Sequence, residues 1–377
     1  MRIGVVGAAG RPESGERRVA VTPEVAARLI GRGHQIEVAS RAGVGAGHTD
    51  DEYVAAGADV VDEATAWTAD LVATVGRPPL DARIPGAVIG LLRPFDDPDG
   101  LADLARGGAM LFAFEAVPRT TRAQVVDALS SQATVLGYQG VLEAATRSDR
   151  LFPMLTTAAG TIRPSKVLVL GAGVAGLQAI ATARRLGASV SAFDVRSAAA
   201  EQVRSLGATF VDVDAPSQDA SASGGYAQAV DHDEQSRIIA GLAPFVTAAD
   251  VVITSAAIPG RRAPIMIDAT SLAGMRRGAV IVDLAASTGG NCTATEPGRT
   301  VDVDGVTVIG DLDLVGRVAR DASAMYARNV AAFVDLVAAD DGTFHADWDD
   351  DIVAGSCVAR GGVVVHPMLT DRTPEAR

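Results

Sequence analysis

The segment Lys166-Val-Leu-Val-Leu-Gly171-Ala-Gly173-Val-Ala-Gly176 constrains this chain more than any other part of it. A short apolar run meets a glycine turn and passes directly into a helical pattern over residues 174–186. A lone G-x-G-x-x-G match is weak. One that follows a strand, opens a helix and has an acidic residue at the end of the next strand is strong. Each glycine has its own reason. Gly171 permits the tight turn, Gly173 lets backbone approach a pyrophosphate, and Gly176 lets helix and strand pack closely. The helix N-terminus offers N–H groups and positive potential to phosphates. The acidic residue is Asp194, 18 residues after Gly176. It can accept hydrogen bonds from an adenosine ribose and would repel a 2′-phosphate, which favours NAD over NADP. Arg196 works against that preference, because an arginine there can accommodate the phosphate.

The rest of the chain fits around this unit. Its 377 residues suffice for two domains, and 48% hydrophobic with 21% charged residues is a globular composition. Only 4% is aromatic, so the core must come from Ala, Val, Leu and Ile, as in parallel strands covered on both faces by helices. Strand candidates over residues 2–6, 35–38, 71–75, 87–92 and 110–114 alternate with helical stretches such as 24–32. A second series covers residues 167–170, 189–193, 209–211, 251–254, 280–282 and 306–309. Residues 121–138 read as one long helix leaving the first domain, with Thr120 or Thr121 as N-cap. The expected fold class is α/β: two Rossmann-like domains with parallel sheets and a cofactor cleft between them. Residues 1–130, joined by a C-terminal helix and tail at 322–377, form one domain, and residues 131–321 form the other. Residues 212–231, rich in Ser, Ala, Gly and Asp, are either a lid or a plain flexible insertion. The acidic tail after Asp340 reads as peripheral.

Several function classes are disfavoured. The net charge is -13 with no basic stripe, which argues against nucleic acid as a partner. Cys292 and Cys357 make neither a disulfide framework nor a metal-ligand pattern, so no metal site and a reducing compartment are expected. The uncharged stretch 167–183 is Gly-broken and shorter than the roughly 20 apolar residues a spanning helix needs, so direct membrane insertion is not expected. Proton carriers are scarce. Lys166 is the only lysine, and it precedes the buried strand on the side away from the turn. His34, His48, His232, His345 and His366 form no metal or catalytic pattern and read as surface or turn residues, His48 and His232 being the least settled. One exchange needs no proton carrier: hydride passing directly from one nicotinamide to another, which requires geometry alone.

Three blocks occur in a distinctive order: Pro118-Arg119-Thr-Thr-Arg122-Ala-Gln124-Val-Val-Asp127-Ala-Leu-Ser130-Ser-Gln132, then Phe152-Pro-Met-Leu-Thr-Thr-Ala-Ala-Gly-Thr161, then the glycine turn. Together with Gly15-Glu-Arg-Arg18-Val-Ala-Val-Thr-Pro23, Ile258-Pro-Gly, Gly289-Gly-Asn-Cys292 and Ala322-Ser, they resemble the alanine dehydrogenase and transhydrogenase family. Within it they are most similar to the NAD(H)-binding alpha-subunit type of the proton-translocating NAD(P) transhydrogenase. The resemblance implies a loop over the nicotinamide. Arg119 would bond the carboxamide, Gln124 would reach toward an incoming NADP(H) ring, and Asp127 with Ser130 would hold the arrangement. Read without it, Gln124, Asp127 and Ser130 are the polar face of a helix. Tyr226 matches the tyrosine of a mobile loop that folds over NAD(H), which favours the lid. The expected cofactor contacts are Gly171, Gly173, Val174, Ala175, Gly176, Asp194, Val195, Arg196, Tyr226 and Ala256.

The resemblance further implies a homodimer that works with a membrane-embedded subunit and an NADP-binding component, NADP(H) being held only by that partner. The chain would be cytoplasmic and peripheral to the inner membrane when assembled. Family members that oxidise alanine carry a lysine near residues 73–75 and a histidine near 89–94, where this chain reads Ala-Thr-Val and Ile-Gly-Leu-Leu-Arg-Pro. Gln139, Ser287 and Asp311-Leu-Asp-Leu also depart from the transhydrogenase pattern. Two rival readings are a stand-alone NAD-dependent oxidoreductase of a small amino- or oxo-acid, with Arg18 on the substrate carboxylate, and a non-catalytic NAD-binding module.

Overall fold

The computed structural model describes residues 1–7, 15–213, 232–258 and 260–370. The chain divides into two compact units, Met1–Gln132 with Val315–Arg377, and Ala133–Leu314. Six strands come first: β1 (Arg2–Val5), β2 (Gln35–Ala39), β3 (Asp59–Val61), β4 (Leu71–Ala73), β5 (Ala87–Gly90) and β6 (Met110–Ala113). A hairpin follows, β7 (Leu155–Thr157) and β8 (Gly160–Ile162). The second unit then contributes β9 (Lys166–Leu170), β10 (Ser189–Phe193), β11 (Thr209–Phe210), β12 (Val251–Thr254), β13 (Val280–Asp283), β14 (Thr300–Val303) and β15 (Val306–Ile309). The tail supplies β16 (Cys357–Arg360) and β17 (Val363–Val364).

The first unit is an eight-stranded sheet in the order β17-β16-β6-β5-β4-β1-β2-β3, parallel from β6 to β3. β16 closes it antiparallel to β6, so the tail is not peripheral. An acidic run conceals a short apolar one there: Ile352, Val353 and Val358 are all buried. The helix Ala319–Val337 returns to this unit and buries Ala322, Tyr326, Val330, Phe333 and Val337, a face at the spacing of helical turns.

The second unit is a seven-stranded sheet, β11-β10-β9-β12-β13-β15-β14, parallel except for the pair β14–β15. Successive residues of β9 enter opposite cores, Val167 and Val169 on one face and Leu168 and Leu170 on the other. Strands buried on both faces read as continuous apolar runs, which makes them legible in the sequence. Each such side chain stabilises by about 1.5–3 kcal/mol relative to exposure.

The expected helix over residues 121–138 is interrupted. Arg122–Val126 is a 3₁₀ turn, and the α-helix runs from Ala128 to Arg147. The break has a plain cause. The Asp127 carboxylate accepts the Ser130 N–H at 2.9 Å and its hydroxyl at 2.6 Å, an N-cap that starts a new helix. The reading of Gln124, Asp127 and Ser130 as one helix's polar face is thereby set aside. The lid segment from residue 214 to 231, with Tyr226, lies outside the described residues.

Candidate functional site

In the second sheet β9 has β10 on one side and β12 on the other. Connections therefore leave its carboxyl end in opposite directions, and open α/β sheets bind ligands in the crevice outside such a reversal. The three glycines sit at that end. Gly171 has a φ of 96°, and a Cβ on it would stand 2.9 Å from the Ala256 nitrogen. On Gly176 a Cβ would fall 1.8 Å from the Gly171 carbonyl oxygen. The fold itself requires both. Gly173 is different: its φ of -76° suits any residue, and among the described residues a Cβ there would meet nothing within 4 Å. The space is open where a phosphate would need it. Gly173 is the N-cap of the helix Val174–Arg185, and as a glycine it offers that helix N-terminus no capping side chain. Val174 beside it is exposed and Ala175 half-buried. A helix start with a glycine N-cap, beside a space clear of the described residues, fits an anionic diphosphate.

Asp194, buried at the end of β10, is more heavily engaged than its sequence position suggests. One oxygen accepts the Ala172 N–H at 2.7 Å and Arg196 Nη2 at 3.0 Å; the other accepts the Arg196 N–H and Nε, each at 2.9 Å. Those bonds fill the roughly four acceptor positions of a carboxylate. The carboxylate raises the Arg196 pKa, and the two charges neutralise one another. Arg196 is thus clamped to Asp194 rather than held out for a phosphate, and a ribose hydroxyl would have to displace a guanidinium bond. Val195 is half-buried between them.

Opposite the glycine turn, the carboxyl end of β12 supplies Ser255 and the half-buried Ala256. Ser255 Oγ donates to the Gly171 carbonyl at 3.1 Å. Asn291, fully buried, holds Ala256 by both backbone groups: its Oδ1 accepts the N–H at 3.1 Å, and its Nδ2 donates to the C=O at 2.8 Å. Nδ2 also donates to the Pro264 carbonyl at 2.8 Å. Asn291 is itself fixed by Asp283, whose buried carboxylate accepts N–H bonds from Ala285, Asn291 and Cys292 and the Thr295 hydroxyl. Burial pushes the Cys292 thiol up to about 11, so it is an inert neighbour. The helix Ala128–Arg147 closes in as well: a Cβ on Gly137 would lie 2.1 Å from the Ala175 carbonyl oxygen. Sequence reading missed Ser255, Asn291, Asp283 and Gly137. The available signals were Gly137-x-x-Gly140, small residues a helical turn apart, and the Gly289-Gly-Asn-Cys292 block that contains Asn291.

In the first unit, Arg119 and Gln124 are exposed, while Asp127 and Ser130 form the cap described above. Arg18 donates to Glu16 through Nε at 2.8 Å and Nη2 at 2.6 Å, and to Gln132 through Nη1 at 2.7 Å. Thr74 stands in the stretch where alanine-oxidising relatives carry lysine, and its carbonyl accepts the buried Tyr326 hydroxyl at 2.8 Å. Lys166 is exposed at the amino end of β9, opposite the glycine turn. His34 and His48 are buried, not superficial, at 6% and 8% exposure. Burial lowers both pKa values and keeps these rings neutral. Gln139 is buried in its helix, and Ser287 is exposed before the Gly289-Gly290 turn. Among the described residues no cluster of His, Cys, Asp and Glu could hold a metal ion, and no helix is long and apolar enough to cross a membrane.

A parallel sheet with a glycine-lined turn at its reversal point defines a Rossmann-type α/β protein. Residues 12–136 match the N-terminal domain, and residues 140–367 the C-terminal domain, of the alanine dehydrogenase/PNT family, and the chain belongs to that family. It is 41% identical over 375 residues to the first part of NAD(P) transhydrogenase subunit alpha from Rhodospirillum rubrum, covering 94% of this chain and 96% of the relative. The transhydrogenase structure from Sinorhizobium meliloti superposes with a TM-score of 0.86 at 40% identity, covering 97% of this chain and 100% of that one. An L-alanine dehydrogenase structure superposes with a TM-score of 0.80 at 26% identity, each chain covered to 98%.

Proposed function

We propose that this chain is the NAD(H)-binding component of a proton-translocating NAD(P) transhydrogenase. It binds NAD(H) at the β9 turn and passes hydride between NADH and NADP+ held by a separate component. The observation that carries the binding half is Gly173. Neither backbone strain nor packing against the described residues calls for a glycine there, and the helix start beside it suits a diphosphate. When bound, NADH supplies the hydride, and no protein group has to give or take a proton. That matches a chain with its only lysine at the far end of β9, and with neither lysine over residues 73–75 nor histidine over residues 89–94, where amine-oxidising relatives carry them. Gly171, Gly173, Val174, Ala175, Gly176, Asp194, Val195, Arg196, Tyr226 and Ala256 are the contacts assigned to NAD(H). Arg119 holds the carboxamide, Gln124 reaches toward the second ring, and Asp127 with Ser130 sets the turn that carries them.

The assembly that follows is a homodimer on the cytoplasmic face of the inner membrane, working with a membrane-embedded subunit and an NADP-binding component. The test is stopped-flow hydride transfer from NADH to an NADP analogue after reconstitution with such a component, paired with an NADH titration. Gln124→Asn should lose most of the transfer, on the order of 10²-fold, and keep NADH affinity within a few-fold. Transfer equal to the parent's would sink the role given to Gln124. A parent that transfers nothing, yet turns over pyruvate and ammonia with NADH, would establish the stand-alone oxidoreductase instead.

A further inference from the structure

The turn Arg122–Val126 presents Gln124 outward while burying Ala123 and Val126 at 1% and 0% exposure. A 3₁₀ turn has poor hydrogen-bond geometry of its own. Two of the backbone bonds at its ends are long, Gln124 N–H to the Thr121 carbonyl at 3.4 Å and Asp127 N–H to the Gln124 carbonyl at 3.3 Å, while Ala123 N–H reaches the Thr120 carbonyl at 3.1 Å. Side chains from outside the turn also hold its shape. Two ties do so, one on each shoulder of Gln124.

The inner tie is Asn329, 7% exposed on the helix Ala319–Val337. Its Nδ2 donates to the Val125 carbonyl at 2.9 Å, while its Oδ1 accepts the Ser131 hydroxyl at 2.8 Å. One amide thereby joins the turn to the start of the next helix. The outer tie is Arg122. Nη1 donates to Asp350 Oδ2 at 2.6 Å, Nη2 to Oδ1 at 2.9 Å, and Nη2 also reaches Asp351. Asp350 is a firm anchor, because the same carboxylate caps the helix Asp351–Ser356 through the Ile352 and Val353 N–H groups. The Arg122 guanidinium holds the Asp350 carboxyl down at about 2, so this pair stays charged at any working pH.

We propose that Asn329 and the Arg122–Asp350–Asp351 clamp are positioning groups that fix the height and direction of Gln124 for hydride transfer. The proposal rests on the reading that Gln124 meets a second nicotinamide. Neither tie holds a nucleotide itself. Exposed ion pairs contribute little to stability, so loss of Arg122 should change geometry more than folding. Small displacements at a reacting pair can cost on the order of 10²-fold in rate.

The test uses the full chain with three variants: Arg122→Ala, Arg122→Lys and Asn329→Asp. The last puts a second acceptor against the Val125 carbonyl without changing shape. Amide hydrogen exchange over residues 119–132 is measured beside NADH titration and hydride transfer to an NADP analogue on a reconstituted NADP-binding component. Arg122→Ala should speed exchange in that segment alone, keep the thermal midpoint and NADH affinity, and slow transfer about tenfold or more. Arg122→Lys should restore part of the rate, since a lysine keeps the charge without the planar fork. Asn329→Asp should lose more than Arg122→Ala; if it does not fold, the Arg122 pair decides alone. Unchanged exchange overturns the pinning. Faster exchange with unchanged transfer overturns the positioning role, and a parallel loss of NADH affinity assigns the ties to binding instead. A parent without transfer overturns the functional reading and this proposal with it; a transferring parent with equally active variants overturns this proposal alone.

Discussion

Asp194 and Arg196 show why cofactor preference is decided between residues and not by one of them. The carboxylate accepts four bonds, three from Arg196 and one from the Ala172 N–H of the glycine turn. Removing the acid takes away three of the bonds that hold Arg196 and slackens the turn. Asp194→Ala should therefore weaken NADH and narrow its advantage over NADPH by about tenfold, roughly 1.4 kcal/mol. Arg196→Ala should widen that advantage, because the freed carboxylate can accept ribose hydroxyls and repel a 2′-phosphate. Calorimetry with both nucleotides decides it, and two variants moving the ratio the same way would refute the pairing argument. Glu115 carries a different residue-scale consequence. Burial raises its carboxyl from 4.5 to about 7, although the Leu92 and Arg93 N–H groups, at 3.2 and 2.7 Å, favour the charged form. Folding thus prefers the protonated acid. Below about pH 4.5 the group is protonated in both states and costs nothing; as pH rises through 7 the folded form must carry a buried charge, losing on the order of 3 kcal/mol. A carbon-detected titration should find a carboxyl with a midpoint near 7 that is absent in Glu115→Gln. An ordinary carboxylate midpoint would contradict the burial argument.

Elements divide these residues into ones the fold needs and ones a ligand needs, and the glycines separate the two. Gly137→Ala forces the helix Ala128–Arg147 off the Ala175 carbonyl. It should cost about 1–3 kcal/mol of stability as overpacking and weaken NADH as well, since Ala175 lies in the first turn of the helix proposed to meet the diphosphate. Gly173→Ala meets no atom of the described residues, so it should leave the thermal midpoint nearly unchanged while weakening NADH at least tenfold. Equal NADH affinity in Gly173→Ala and the parent would remove the argument for the diphosphate site. The same division explains what was legible in the sequence. The parallel strands and the glycine turn announce themselves because burial on both faces and positive φ leave a local signature. The break at Asp127 did not, because its cap sits inside an otherwise helical run. β16 hid behind an acidic stretch. Asn291 on Ala256 and Asn329 on Val125 bridge 35 and 204 positions, and no local pattern records such a partner.

For the whole molecule, the feature without an internal explanation is the hairpin β7–β8. Every residue of both strands is exposed, and Leu155 and Ile162 stand at 43% and 47% exposure beside Met154 at 63%. Its register is short, Leu155 opposite Ile162 and Thr157 opposite Gly160. An isolated two-stranded ribbon is marginally stable at best in water, and three or more strands or a packed apolar face are usually needed. Apolar residues clustered on such a ribbon are costly for a monomer and useful at an interface, where they add buried area and satisfy a free strand edge. A second copy of this chain is the occupant that the homodimer reading supplies. Ile162→Glu places a charge opposite Leu155 on the ribbon without touching either core, so folding should be retained and self-association lost. Light scattering on a sizing column should then report twice the chain mass for the parent and a single chain for the variant, with the circular dichroism spectra superimposable. A monomeric parent would remove the dimer from the functional reading, and a dimeric Ile162→Glu would move the interface elsewhere on the surface.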